Sequence, residues 1–156
     1  MLGSPVSIWI TSILRVKRLV IIAAVVVTGG LTAGAEAAVD YSFHTPSTNI
    51  SCMYSSFAPA TLRCDIASLI VPPQPRSAQC TPSIGVWNQG YSMGPTGGAR
   101  QVCASDTVVD PRGHVLAYGT TWRGGGFSCS SQTTGLRCTN RSGHGFFESR
   151  QRSYAF

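Results

Sequence analysis

The sequence predicts an all-β fold: a small, disulfide-stabilised sandwich or barrel of short antiparallel strands, preceded by an N-terminal signal helix. Beyond residue 37 the chain has no sustained apolar period of 3.6 residues. Short runs rich in β-formers alternate there with Gly, Pro, Ser and Thr, which is typical of many strands joined by tight turns. All six cysteines also follow residue 37, as expected of a disulfide framework formed outside a reducing compartment.

The N-terminal segment has the layout of an export signal. Three basic residues precede an apolar stretch, Leu19–Val27, and Ala35–Ala37 supplies a small-x-small cleavage motif. Cleavage there divides the chain into a signal peptide, residues 1–37, and a single domain, residues 38–156. The alternative is a retained anchor, because Leu19–Ala35 lies at the short edge of the roughly 17–25 residues that span a bilayer.

The predicted strands lie between turn-forming residues, and each is a short run containing β-branched or aromatic side chains. They are Tyr41–Phe43, Asn49–Tyr54, Thr61–Ile66, Val86–Tyr91, Gln101–Ala104, His114–Tyr118, Phe127–Cys129, Leu136–Thr139 and Gly145–Glu148. Val71–Arg76 contains three prolines, so we expect an extended linker across the outside. Gly94–Ala99 and Gly124–Gly126 are predicted to be the most mobile loops.

Two parts of the chain repeat one cysteine pattern: an apolar residue, Ser and Cys, then a turn, then Leu-Arg-Cys. Within Leu-Arg-Cys, strand alternation sends Leu and Cys to one face and Arg to the other. Each unit is therefore predicted to be a hairpin whose two cysteines lie within bridging distance. The predicted disulfides are Cys52–Cys64 and Cys129–Cys138, which leaves Cys80–Cys103.

The charge of the predicted mature chain is modestly positive. Nine of the twelve basic residues and five of the six acids follow residue 37, which leaves a net charge of +4. Such a charge favours anionic surfaces such as wall polymers or lipid headgroups. The arginines are scattered singly, so we expect no nucleic-acid partner. After cleavage we also expect no stable membrane span.

The candidate catalytic residues form no recognisable site. Ser142, His144 and Glu148 lie close in sequence, but no nucleophile-elbow pattern surrounds any serine. Asp106 and Asp110 bracket three residues, and the second of them begins an Asp-Pro-Arg-Gly turn. The three histidines are separated by 70 and 30 residues, which provides no paired metal ligands. The sequence therefore predicts no catalytic residues, no metal site and no cofactor.

Aromatic side chains are the better candidates for ligand contacts. Trp87 and Tyr91 place two rings beside the two amides of Asn88 and Gln89, and Trp122 with Arg123 adds a ring and a guanidinium. Rings beside polar donors are typical of sugar-binding and peptide-binding surfaces. The predicted ligand-binding residues are therefore Trp87, Asn88, Tyr91, Trp122 and Arg123. The alternative is that both tryptophans fill the core.

A further aromatic group lies near the C-terminus. Phe146 and Phe147 are successive residues of a predicted strand, so their side chains point to opposite faces. One is expected in the core. The other is expected under a loop or exposed as a contact, near Tyr154.

Several of these motifs together resemble a known family. They are Phe43–Cys52, Arg63–Asp65, Gly135–Asn140, Gly143, Gly145 and Phe146. The chain is similar, from about Phe43 to Phe156, to a family of small secreted actinobacterial proteins of unknown function. The resemblance implies export and a compact cystine-bearing β domain, and it transfers no activity and no catalytic residue.

The sequence thus predicts a secreted, non-enzymatic binding or interaction protein of the bacterial cell envelope or exterior. The expected partners are a cell-wall glycan, an anionic envelope surface or another secreted protein. One alternative is a small secreted hydrolase that uses His114 or His144. Another is a cystine-hairpin inhibitor or toxin, which an exposed, ordered loop at Ala58–Thr61 or Gly94–Ala99 would favour.

Overall fold

The computed structural model describes residues 40–68, 78, 80 and 87–156, with the backbone alone at residues 87–89. These residues belong to one compact unit, Glu36–Phe156. They form eleven strands, and none of them forms a helix long and apolar enough to cross a membrane. The predicted signal peptide and the predicted linker at Val71–Arg76 lie outside the described residues.

The first sheet contains six strands from the first part of the domain. They are β1 (Asp40–His44), β2 (Ile50–Ser55), β3 (Thr61–Ile66), β4 (Trp87–Met93), β5 (Arg100–Cys103) and β6 (His114–Val115). Their spatial order is β5-β4-β3-β2-β1-β6. The pair β1–β6 is parallel, which differs from the antiparallel arrangement that the sequence predicts. Four successive antiparallel pairs make β5 point the same way as β1. The segment after β5 returns to the end of the sheet where β5 began and adds β6 at the opposite edge, so β6 runs parallel to β1.

The second sheet is an antiparallel meander. Its strands are β7 (Thr121–Gly124), β8 (Phe127–Gln132), β9 (Gly135–Asn140), β10 (Gly145–Glu148) and β11 (Ser153–Ala155), in the order β11-β10-β9-β8-β7. The β7–β8 hairpin turns through Gly125 and Gly126, whose φ angles are 58° and 92°. Positive φ at both positions matches the twist of a two-residue hairpin and favours glycine.

The two sheets share one hydrophobic core, so the fold is a sandwich. The core takes these residues from both sheets: Phe43, Ile50, Cys52, Leu62, Cys64, Ile66, Tyr91, Met93, Phe127, Cys129, Leu136, Cys138 and Phe146. Tyr91 of β4 stacks on Phe146 of β10 with ring centroids 5.6 Å apart. Phe146 is fully buried, while Phe147 is half-buried on the other face of β10, which confirms that the two rings divide between core and surface.

The three predicted disulfides are present, and two of them bridge neighbouring strands within the core. Cys52 lies opposite Cys64 with a Cα–Cα distance of 4.0 Å. Cys129 lies opposite Cys138 at 4.1 Å. Cys80–Cys103 is the third bridge. In the chain-entropy model, loops of this length stabilise a domain by about 3 kcal/mol each, which compensates for a modest core.

A partly buried ion-pair network centred on Arg63 holds the segment that joins the two edges of the first sheet. Arg63 donates to both carboxylate oxygens of Asp65 at 3.0 Å and to Asp106 at 2.9 Å. Asp65 is buried and also accepts the backbone N–H of Val108 at 3.0 Å. The crossing segment is therefore held by charge-assisted hydrogen bonds to β3.

Candidate binding surface

The first group of predicted contact residues lies on β4. Trp87 pairs with Cys103 through the backbone, and the side chains of Trp87 and Asn88 lie outside the described part of the structure. The ring of Tyr91 is buried against Phe146. Burial raises the pKa of the Tyr91 hydroxyl, and hydrogen bonds to Ser153 and Gln101 oppose that rise in part. Tyr91 therefore joins the two sheets from inside the core.

Trp122 lies in a half-buried aromatic cluster beside the core. Its ring stacks on Tyr41 at 5.6 Å between centroids and contacts Phe43 at 5.1 Å and Tyr54 at 5.7 Å. His114 stacks on Tyr41 at 4.8 Å. This position follows from strand alternation, because Trp122 is opposite Cys129 and shares its inward face. Most contacts of the Trp122 ring are therefore packing contacts.

Arg123 points the other way, to the outer face of the second sheet, where it lies opposite Ser128. The residues that share this face follow from the strand register. Ser130 pairs with Arg137, and Arg137 pairs in turn with Phe147. Phe147 then pairs with Tyr154. We call Arg123, Arg137, Phe147, Arg152, Tyr154 and Phe156 together the arginine–aromatic face.

Three rings and two guanidinium groups are in contact on this face. The ring centroids of Phe147 and Tyr154 are 5.5 Å apart, and those of Tyr154 and Phe156 are 6.2 Å apart. The guanidinium of Arg137 lies 3.8 Å from the ring centroid of Phe156. That of Arg152 lies 5.3 Å from Phe147 and 5.7 Å from Tyr154. The three rings thus form a series of neighbours from β10 across β11 to Phe156, with cations beside them.

The second sheet carries an excess of positive charge. Its segment, residues 121–156, contains five arginines and one acid, Glu148. Glu148 is fully buried, and burial, with the charge of Asp65 as a smaller cause, raises its pKa well above the usual range. The neutral form of this carboxyl is therefore favoured. The arginines are Arg123, Arg137, Arg141, Arg150 and Arg152.

Ion pairs lie elsewhere in the molecule. Among the described residues they join Arg63 and Arg112 to Asp65, Asp106 and Asp110, all within the first 115 residues of the chain. The five arginines of the second sheet's segment make no ion pair within the described ranges. Their charge is therefore available to an anionic partner.

A polar groove lies beside this face, where three hairpin turns from the two sheets meet. Its volume is about 270 Å³. It is lined by Thr45, Ser47, Asn49, Ile50, Tyr118, Gln132, Thr133, Thr134, Gly135, Ser149, Arg150 and Gln151. Neither the groove nor the arginine–aromatic face was apparent from the sequence, because both are assembled from strands and turns distant along the chain.

None of the three histidines lines the groove. His114 and His144 are exposed, and His114 packs on the Tyr41 ring. His44 contacts the carbonyl oxygen of Thr45 through Nδ1 at 2.9 Å. Within residues 40–68 and 87–156, no three metal-ligating side chains come together, and no histidine forms an ion pair with a carboxylate.

The family model that matches residues 22–156 is described as a family of unknown function, DUF6636. The chain belongs to this family. No curated protein and no solved structure matches the chain. Membership in DUF6636 agrees with the resemblance to an uncharacterised family and assigns no activity.

Proposed function

We propose that this DUF6636 protein is exported and acts as a non-enzymatic binding domain of the bacterial cell envelope or exterior. Its contact surface is the arginine–aromatic face, and its partner is an acidic glycan. One observation carries the proposal: three aromatic rings and three arginines share one sheet face, and the only acidic side chain in that sheet's segment is buried.

The chemistry of this face suits a chain of sugars that bear carboxylate or phosphate groups. Aromatic rings stack on the apolar faces of sugar rings. Guanidinium groups bind carboxylate and phosphate oxygens in pairs. Ser128, Ser130 and Thr139 add hydroxyl groups to the same face.

Export is supported by the cysteines and by the N-terminal pattern. Three disulfides in a domain of this size are typical of secreted proteins. The apolar stretch Leu19–Val27 and the small residues at Ala35–Ala37 supply the corresponding signal.

The test is binding of the purified, oxidised protein to polygalacturonate and to the same polymer after methyl esterification, which removes its charge. We expect binding to the acid form, weakened as salt rises from about 0.01 M to about 1 M, because the Debye length falls from roughly 30 to 3 Å. The double variant Arg137→Gln, Arg152→Gln should bind about tenfold more weakly, since each lost charge-assisted contact contributes about 0.5–1 kcal/mol at an exposed site.

Arg112→Gln is the matched control. Arg112 is exposed like the arginines of the face, but it pairs with Asp110 and lies outside the strands of the second sheet. Equal binding by the double variant and the wild type, or equal binding to both forms of the polymer, would count against the proposal.

A second candidate function is inhibition of a secreted enzyme by the loop at Gly94–Ala99. Residues 96–98 are exposed, but hydrogen bonds from another part of the chain hold the loop in place. Asn140 Nδ2 donates to the carbonyl oxygens of Gly94 at 3.0 Å and Gly97 at 2.7 Å. The Gly97 N–H donates to Ser142 Oγ at 3.0 Å. A rigid exposed loop is the feature that protease inhibitors use, because it binds with little loss of entropy.

Assays of secreted serine, cysteine and metalloproteases test this candidate. Inhibition that is lost in Asn140→Ala, which releases the loop, would favour it. If none of these proteases is inhibited, inhibition is excluded as the function of the loop.

A further inference from the structure

The lining residues of the polar groove divide into a buried floor and an exposed rim. Thr45, Asn49 and Ser149 form the floor and are buried. Thr45 Oγ1 bonds to the backbone of Ile50, and Asn49 Oδ1 accepts the N–H of Ser68 at 3.1 Å. Ser149 Oγ donates to the Arg152 carbonyl oxygen at 3.1 Å. Because these floor groups are occupied internally, they fix the shape of the groove.

The rim provides the groups that remain for a ligand. The exposed side chains there are Ser47, Tyr118, Gln132, Thr133, Thr134, Arg150 and Gln151. They comprise one aromatic ring, two amides, three serine or threonine hydroxyl groups and one cation. Such a mixture is typical of sites that bind a single sugar, where the ring stacks and the polar groups fix orientation.

Charge selects the kind of sugar. Arg150 is the only charged residue that lines the groove in the described part of the chain. None of the described lining residues is acidic, so a negative group on the ligand would meet attraction without opposing repulsion. The volume of about 270 Å³ lies near the lower limit of small-molecule pockets, roughly 300 Å³, which limits the ligand to about one ring.

The groove is continuous with the arginine–aromatic face. Gly135 lines the groove, and a Cβ atom at that position would lie 2.6 Å from the Phe147 ring, so the groove wall touches the first ring of the face. Arg150 in the groove and Arg152 on the face lie in the same β10–β11 turn. The line of rings from Phe156 through Tyr154 to Phe147 therefore leads toward the groove.

We infer that the groove is a subsite for the terminal, carboxylate-bearing sugar of an acidic glycan, with Arg150 on the carboxylate and the Tyr118 ring against the sugar. The identity of the ligand rests on the proposed function, while the site itself does not. The inference adds end recognition to binding along the face: the face holds the polymer and the groove holds its last residue.

The test is titration of the whole protein with galacturonic acid and with its methyl ester, followed by NMR chemical shifts of the backbone amides. We expect the acid to shift residues of the groove, among them Thr133, Thr134 and Gln151, and the ester to bind about two- to fivefold more weakly, as expected when one charge-assisted contact at an exposed site is lost. Arg150→Gln should weaken binding of the acid to the level of the ester. Tyr118→Ala should weaken binding of both forms.

Two outcomes separate this inference from the proposed function. If the monosaccharide acid binds in the groove and the polymer does not bind the face, the subsite stands and the proposed function fails. If Arg137→Gln, Arg152→Gln lowers polymer binding while the monosaccharide shifts no groove residue, the subsite is overturned and the proposed function stands. Arg112→Gln serves again as the control, because the variant keeps every residue of the groove.

Discussion

Glu148 of β10 and Asp65 of β3 bring two carboxyl groups from opposite sheets into one buried interior. Burial is the main cause that raises the pKa of Glu148, and the charge of Asp65 adds to it. Asp65 is paired with Arg63. Among the described residues, no hydrogen bond of good geometry reaches the oxygens of Glu148. The backbone N–H of Tyr91 lies near enough to lower the pKa of Glu148, but this effect is smaller than that of burial. The domain therefore contains a carboxyl that is costly to ionise.

The first prediction concerns the pH dependence of stability. Because the pKa of Glu148 is raised on folding, the folded state retains a proton that the unfolded state loses above about pH 4.5. The contribution of Glu148 to the free energy of unfolding is therefore fully present below about pH 4.5 and declines as pH rises toward the folded pKa. Over that range, the unfolding equilibrium constant increases by up to about tenfold for each pH unit.

Glu148→Gln should remove this dependence. Urea titrations between pH 4 and pH 8 would measure it: the variant should gain stability relative to wild type as pH rises, while the difference near pH 4 stays small, since an amide and a protonated carboxyl have similar shapes. A constant difference across the range would mean that Glu148 does not titrate between the folded and unfolded states as expected.

The second prediction concerns the ion pair of Arg63. Arg63→Ala leaves Asp65, which is 3 % exposed, without its cationic partner. Because Arg63 keeps some solvent contact, we expect a loss of about 2–4 kcal/mol, slightly below the roughly 3–5 kcal/mol of fully buried pairs. Arg112→Ala is the control: its pair with Asp110 spans 3.8 Å at the surface and should change the free energy of unfolding by less than about 0.5 kcal/mol. Equal effects in chemical denaturation would refute the assignment.

The third prediction concerns the close approach of β3 and β4. A Cβ atom at Gly90 would collide with the Cys64 carbonyl oxygen and lie 2.8 Å from Asp65 Oδ1. Gly90→Ala should therefore cost about 1–3 kcal/mol through overpacking. Gly98→Ala is the matched substitution, because no heavy atom lies within 4 Å of its added Cβ, and it should stay within about 0.5 kcal/mol of wild type. Thermal unfolding of both variants would distinguish the two positions.

The parts of the fold that depend on local pattern were predictable from the sequence. The Leu-Arg-Cys motifs place Leu62 and Leu136 in the core and pair their neighbouring cysteines, because alternation within a hairpin requires no knowledge of the rest of the chain. Strands β7 and β11 were missed. They are four and three residues long, and pairing with β8 and β10 stabilises them more than their own composition does.

The candidate surface was less predictable, for a related reason. Arginines that are isolated in the sequence, such as Arg137 and Arg152, come together on one face because of the register of the strands in the second sheet. Tyr91 was predicted as a ligand contact, but its ring is buried. The burial depends on stacking against Phe146 in the other sheet, which the local sequence around Tyr91 does not reveal. The loop at Gly94–Ala99 was predicted to be mobile from its glycines, whereas its hydrogen bonds come from Asn140 and Ser142, far along the chain.

The last prediction separates packing from binding with two aromatic substitutions. Trp122→Ala removes a ring that contacts Tyr41, Phe43 and Tyr54 and should lower the free energy of unfolding by about 2–4 kcal/mol, since the ring is half-buried. Tyr154→Ala removes a ring that is 39 % exposed on the outer face and should cost less than about 1 kcal/mol.

The same two variants should show the opposite order in binding. At temperatures where both are folded, Tyr154→Ala should bind polygalacturonate several-fold more weakly, because its ring lies between Phe147 and Phe156, while Trp122→Ala should bind like wild type. Guanidinium titration and a polymer-binding isotherm on each variant give the comparison. If Trp122→Ala lost binding and kept its stability, the contact surface would lie around β7 and the aromatic cluster, and the outer face of the second sheet would not be the binding surface.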